Sequence, residues 1–382
     1  MSRLFMFLAI LTVKIGNAQF QFKEPTKLAK PGINQLQLQE KRKRQKSKIV
    51  QDSTLRISAV GDIMLGTQYP SKKYLPGNEF MVYKPNSDKR TPNFFDEIEP
   101  KFKQHQIVFG NLEGTFFDSI GTVKQCSDSS KCYAFKQPTH FVKSLSHAGF
   151  NLLSVGNNHI GDFGINGIKS THNTLKKEGI HHAGTNIKPL DFIEINHQKI
   201  GFLALAVGDD CVQLFDTSRI KTLLFELKSF CNIIVVSIHA GAEGNNHTHV
   251  TRNTEFYLNE NRGNVYQIAH YCIDNGADLI LGHGPHVPRA MEVYRKKLIA
   301  YSLGNFCTFY RFNLSKNNGI APLLSLELNK NGDIQKIDIC SYKQIGDGGP
   351  ISDWRRRAKH RILKLSKQDF PESYGDIKRL MR

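Results

Sequence analysis

Five apolar runs in this 382-residue chain each end in a side chain that can bind a proton or a metal ion. Val60 leads into Gly61-Asp62, and Phe109 into Gly110-Asn111-Leu112-Glu113-Gly114. Val155 leads into Gly156-Asn157-Asn158-His159, Ile238 into His239, and Leu281 into Gly282-His283-Gly284-Pro285-His286. Taken singly, each has a plain structural reading. Gly-Asp serves a turn, Asn111 and Glu113 serve a turn and solvent, and a lone His239 fits a satisfied core histidine. Three polar side chains at 157–159 and two histidines in one Gly/Pro turn are harder to explain that way, and His283 and His286 converge only if that turn folds back.

Taken together, carboxylate, amide and imidazole donors at successive strand ends are the mixed set that divalent transition metals accept. The carboxyl edge of an α/β sheet is also where ligands bind. A carboxylate bridging two ions, each completed by His and Asn, is a two-metal centre that activates a water for attack. His159 is then free to give a proton to the leaving group. We expect two divalent ions, drawn from manganese, iron and zinc.

The elements that must position these donors are legible as alternating strands and helices. Strands are expected at 55–60, 107–110, 152–155, 199–207, 232–238, 278–282 and 298–303, with helical patterns at 139–147, 165–178, 218–228 and 265–275. Nearly unbroken apolar strands imply a sheet covered on both faces. A final hairpin, 323–328 and 334–339, turns at Asn329-Lys330-Asn331-Gly332. This is an α/β domain spanning 53–345.

The ends differ from this domain. Residues 1–18 read as a signal peptide: Arg3, an apolar run from Leu4 to Val13, and a small-residue site at Gly16-Asn17-Ala18. Export to the periplasm, cell envelope or exterior is therefore expected. Residues 19–52 form a basic polar linker with nine Lys/Arg against three Asp/Glu, and 353–382 carry ten against four. The net charge of +18 thus sits largely at the two ends. Residues 346–382 read as a basic helical extension in which Trp354, Ile362, Leu363 and Leu365 either pack on the domain or meet an anionic surface or polymer. No nucleic-acid motif accounts for the charge. Seven cysteines show no Cys-x-x-Cys pair, and Cys126 and Cys132 flank a polar loop that export would allow a disulfide to close.

The blocks Ser58-Ala59-Val60-Gly61-Asp62, Gly110 to Gly114, Gly156 to His159, Gly282 to Val287, and Ile299 to Phe306 resemble the CapA, or poly-γ-glutamate synthesis, family of calcineurin-like metallophosphoesterases. The resemblance spans about Arg56 to Lys343. It implies a four-layer α/β/β/α sandwich, with Asp62, Glu113, Asn158, His239, His283 and His286 as metal ligands and His159 as proton donor. Ile63-Met64 replaces the usual Asp-x-His histidine, and Glu113 replaces the usual bridging aspartate. The segment after His239 also departs, with Glu243 as a partner supporting His239 or a loop charge, and His247 and His249 as rim contacts or loop residues.

Three functions are compatible with these residues. The first is an exported CapA-like factor acting on, or assembling and exporting, an anionic polymer of poly-γ-glutamate type through a hydrolase-like site. The second is an extracytoplasmic phosphoesterase, and the third a polymer-binding scaffold without catalysis.

Overall fold

The computed structural model describes residues 54–83, 89–125, 132–346 and 349–382. The expected signal peptide, the basic linker and Cys126 lie outside the described residues.

Two sheets dominate. The first holds β1 (Leu55–Met64), β2 (Ile107–Leu112), β3 (Leu152–Ser154) and β4 (His181–Ala183) in parallel. The second holds β5 (Leu190–Ile195), β6 (Gln198–Ala206), β7 (Ile233–His239), β8 (Leu279–His283), β9 (Met291–Tyr294) and β10 (Lys297–Ala300), with order β9-β10-β8-β7-β6-β5. The chain then returns to the first sheet. There β11 (Asn305–Thr308) runs parallel to the end of β1, and β12 (Ile320–Leu328) pairs antiparallel with its start. The sheet continues through β13 (Ile334–Lys343) and β14 (Ile351–Ser352). In the β12–β13 turn, the Asn329 side chain accepts from the backbone N–H groups of Asn331 and Asp333.

Period-two alternation assigns each strand residue to a layer. Ile57, Ala59 and Phe109 of the first sheet meet Phe202, Val235, Leu279 and Leu281 of the second in the central core. The Phe109 and Phe202 rings pack edge-on, with centroids 5.7 Å apart. Val60, Val108 and Leu153 face outward onto α1 (Val142–Ala148) and α2 (Gly164–Lys177). Leu203, Ile234, Val236 and Ile280 face the other way, onto α3 (Thr217–Phe230) and α4 (Val265–Asp274). The result is the expected α/β/β/α sandwich.

Three features add to the sequence reading. The strand expected over 298–303 stops at Ala300, and residues 301–304 carry the chain from the second sheet to the first. Strands β4, β9 and β11 have only three or four residues, too few to show a period. The chain end forms two helices, α5 (Arg357–Asp369) and α6 (Tyr374–Leu380). They place Ile362 and Ile377 in the central core and leave Trp354 77% exposed. Ser366 and Ser373 accept hydrogen bonds from Met291 N–H and Val293 N–H, which covers the open edge of β9.

Candidate metal centre

Strand register puts the donors in rows. Asp62 on β1 lies beside Asn111 on β2 and Asn305 on β11, and His239 on β7 lies beside His283 on β8. Close backbone approach at the strand ends requires glycine. A Cβ on Gly61 would sit 1.9 Å from the Gly304 carbonyl oxygen, and one on Gly282 2.2 Å from that of Tyr301. Gly284 has a φ of +107° and His286, a non-glycine, a φ of 56°. The turn after β8 therefore folds back, held by Gly244 N–H to the Pro285 carbonyl and by the Asn318 amide to the His286 carbonyl. Left-handed backbone at a non-glycine is strain of the kind concentrated at functional sites.

Both histidines of this turn reach one carboxylate. His283 Nδ1 is 3.1 Å from Asp62 Oδ1, and His286 Nδ1 is 3.0 Å from Asp62 Oδ2. Glu113 is tied to β1 by its N–H to the Ile63 carbonyl, and its Oε1 lies 3.6 Å from His286 Nε2. Donor atoms of Asp62, Glu113 and His286 lie within 4.8 Å of one another, as ligands of one ion must. Asn111 donates to Asp62 Oδ1 at 2.9 Å and lies 3.4 Å from His239 Nδ1, linking His239 to the cluster.

The electrostatics of this cluster are those of a cation site. Burial alone would raise the Asp62 pKa, but hydrogen bonds from His283 and His286 hold it well below the usual carboxylate range. Burial, with Asp62 and Glu243 nearby, pushes Glu113 well up, and burial drives His239 well down. His286 goes up to about 10: burial opposes its charge, but Glu113 and Asp62 outweigh burial. The carboxyl groups of Glu113 and Asp62 thus favour a positive charge at the His286 position.

Buried polar atoms are nearly always paired. Here both oxygens of Glu113, Asn158 Oδ1, His239 Nε2 and His283 Nε2 are buried without a hydrogen-bond partner among the described residues. All belong to residues expected to ligate. The oxygen and imidazole set fits a divalent transition ion.

Asn157 has a structural task that its sequence context does not reveal. Its amide donates to the Leu112 carbonyl at 2.8 Å, and its Oδ1 accepts His159 N–H, so it fixes the loop carrying Asn158 and His159. His159 Nδ1 lies 2.9 Å from Asp162 Oδ2, and Lys124 Nζ is 2.6 Å from Asp162 Oδ1. The carboxylate thus assigns the ring proton to Nδ1 and leaves Nε2, 4.0 Å from Glu113 Oε1, as the exchangeable nitrogen. Burial lowers the His159 pKa, with Asp162 opposing. Phe135 packs on the His159 ring at 4.4 Å, and Phe312 stacks on Phe135 and meets His286 edge-on. Arg311 lies between the Tyr74 and Tyr133 rings, extending that aromatic wall.

Other positions resolve differently. Met64, which stands where the wider pattern has a histidine, is buried and accepts Gly66 N–H through its sulfur. Glu243 lies 3.9 Å from His286 Nε2 and pairs with Arg262. His249 pairs with Asp369 at the end of α5, and the His247 carbonyl accepts from Arg289. Arg289, fully buried, grips Glu255 with two nitrogens at 2.8 Å and also donates to the Ala242 carbonyl, bracing the loops after His239 and His286. Neither Lys124 nor the Arg289–Glu255 pair carries a motif signal. Cys132 is disulfide-bonded, and the other five described cysteines are free thiols.

Fold and cluster together define an α/β/β/α protein with a candidate metal centre at the carboxyl edges of two sheets. The profile described as bacterial capsule synthesis protein PGA_cap matches residues 56–310, well over half of the chain, and the chain belongs to that family. It is 28% identical over 314 residues to the PGA biosynthesis protein CapA of Bacillus subtilis, covering 77% of this chain and 74% of that one. It is 25% identical over 342 residues to the capsule biosynthesis protein CapA of Bacillus anthracis, covering 84% and 74%. Among solved structures it is similar to a hypothetical protein from Thermus thermophilus, with 16% identity, 76% and 100% coverage and a TM-score of 0.44. A calcineurin-like phosphoesterase from Bacillus subtilis matches at 12% identity, 85% and 99% coverage and a TM-score of 0.38.

Proposed function

We propose that this chain is an exported, metal-dependent hydrolase-like protein acting on an anionic polymer of poly-γ-glutamate type during its synthesis or export. The observation that carries the hydrolase part is the set of unpartnered buried donors on Glu113, Asn158, His239 and His283 around the Asp62–His286 pair. Membership of the PGA_cap family supports the polymer part.

A bound divalent ion would supply Lewis acidity and a lowered water pKa. The chain's own residues do the rest. Asp62 orients the His283 and His286 rings through its two oxygens. Asp162 holds a proton on His159 Nδ1, so the free Nε2 can take a proton from water and hand that same proton to a leaving nitrogen or oxygen. Phe135 and Phe312 wall one side and limit water. The reach of Nε2 toward Glu113 puts proton transfer and ion binding on the same side of that wall.

The test is ion content by mass spectrometry on the purified protein and its Asp62→Asn variant. It is paired with the chain length of poly-γ-glutamate, and the release from a phosphodiester, after incubation. Metal in the wild type, its loss in the variant and shortening of the polymer support the reading. Metal with phosphodiester cleavage and an unshortened polymer replaces it with a phosphoesterase. No ion after reconstitution with manganese, iron and zinc ends it.

A further inference from the structure

The chain has a single tryptophan, and the fold leaves it 77% exposed at the rim of a second cleft. This cleft has a volume of about 390 Å³ and is lined by Leu314, Lys316, Lys343, Trp354, Arg355 and Arg357, among others. It lies where β13 passes into α5, in the basic chain end. Among the described residues Asp353 is its one carboxylate, and it is committed to Arg357, accepting from the backbone N–H at 3.0 Å and from Nε at 2.9 Å. Among the described residues, Lys316, Lys343 and Arg355 have no carboxylate partner. Arg355 lies over the Trp354 ring at 5.0 Å, and Ile345, also in the lining, is 63% exposed.

We propose that this cleft binds a polycarboxylate chain at a place separate from the metal centre. Three unpaired cations gathered around a concavity attract an anion that enters it. A γ-linked polyglutamate presents one carboxylate per repeat, separated by methylenes and an amide, so cations alternate usefully with apolar surface from Trp354 and Ile345. A membrane surface would need the charges on a protruding face, and a nucleic acid would need a series of aromatic platforms.

One loop joins the cleft to the metal centre. Phe312 meets His286 on one side, while Leu314 and Lys316 line the cleft on the other. Lys316 lies four positions after Phe312, at most about 14 Å of backbone. Asn245 fastens this loop by donating to the Asn318 side chain and the Ser315 carbonyl and accepting from Asn317 N–H. A polymer of several repeats can occupy the cleft and reach the centre together. The choice of polymer rests on the reading above; the cleft itself does not depend on the metal.

Trp354 makes the test direct, because any tryptophan signal comes from this cleft. The full chain is titrated with poly-γ-glutamate while tryptophan emission is read, in the wild type, in Lys316→Glu/Lys343→Glu and in Asp62→Asn. We expect a saturable change that weakens as salt rises, about tenfold weaker binding in the double variant, and an unchanged titration in Asp62→Asn. The double variant should keep its melting temperature and ion content. A response to phosphatidylglycerol vesicles or single-stranded DNA as strong as that to the polymer overturns the proposal. So does equal polymer affinity in the double variant, or no emission change in the wild type. Binding lost only in Asp62→Asn puts the polymer on the metal centre and also overturns it. Normal cleft binding in a protein without metal or turnover would instead sink the hydrolase reading alone.

Discussion

His159 Nδ1 lies 2.9 Å from Asp162 Oδ2, and this contact decides which ring nitrogen faces the candidate metal centre. Replacing Asp162 by Asn presents an amide that can stabilise either tautomer. We expect Asp162→Asn and His159→Ala to keep the ion content of the wild type. His159→Ala should lower turnover by about 10²–10⁴-fold, the usual share of a general acid. Ion analysis beside a phosphodiester or polymer assay checks both. Loss of ions in His159→Ala would make this side chain a ligand.

His283 and His286 share Asp62, so their removal should act on ion binding before anything else. His283→Ala and His286→Ala should each lower ion stoichiometry, and the double variant should hold none. Met64 supplies no imidazole, and the same measurement on the wild type distinguishes one ion from two. Unchanged stoichiometry in both single variants would remove the proposed site.

Arg289 and Glu255 form a buried pair with no solvent to compensate a lost partner. Arg289→Met leaves a buried carboxylate beside unpaired carbonyls. The expected cost is about 3–5 kcal/mol, read by denaturant unfolding, with a parallel fall in ion affinity because the loops after His239 and His286 lose their brace.

The strands and the donors they deliver are legible because each is a local signal: an apolar run, a glycine, then a polar side chain. The two-residue alternation that separates Ile57 from Ser58 and Phe109 from Val108 follows from the same pattern. Lys124 gives no such signal, since it sits in a loop and meets Asp162 only through the tertiary fold. Asn157 reads as a polar side chain without a structural task because its hydrogen bond to the Leu112 carbonyl is invisible in a string of residues. Strand β11 escapes the pattern for a different reason. It has four residues and follows closely on an apolar run that reads as one strand, while the chain changes sheets between Ala300 and Asn305.

His172 and His182 stack at 5.0 Å, and burial pushes their pKa values down to about 4 and about 3. The folded chain therefore favours neutral rings, while the unfolded chain protonates near the ordinary value of about 6.5. Their contribution to stability is complete above that value. It falls as the pH drops, until the folded pKa values are reached. Between pH 7 and pH 5, a His172→Gln/His182→Gln variant should lose about 4 kcal/mol less stability than the wild type, about 2 kcal/mol for each ring. Urea unfolding at the two pH values measures the difference, and equal losses would refute the assignment.

Gly61 lets β1 touch the chain segment that returns from the other sheet. Gly61→Ala forces a Cβ against the Gly304 backbone and should cost about 3 kcal/mol, with Asp62 displaced and ion content reduced. Thermal melting and ion analysis report the two effects separately.

Asp62 and Glu113 come from one sheet, while His239, His283 and His286 come from the other. Whatever bridges them can be held only while the two halves of the sandwich stay face to face. An ion at that seam would be a fastener, and its binding free energy would add to the cohesion of the layers. At a free concentration a thousandfold above its dissociation constant, that addition is about 4 kcal/mol. Withholding such an ion would leave the two sheets joined by their apolar faces and by the Asp62 contacts to His283 and His286, and we expect a chain that proteases cut more readily.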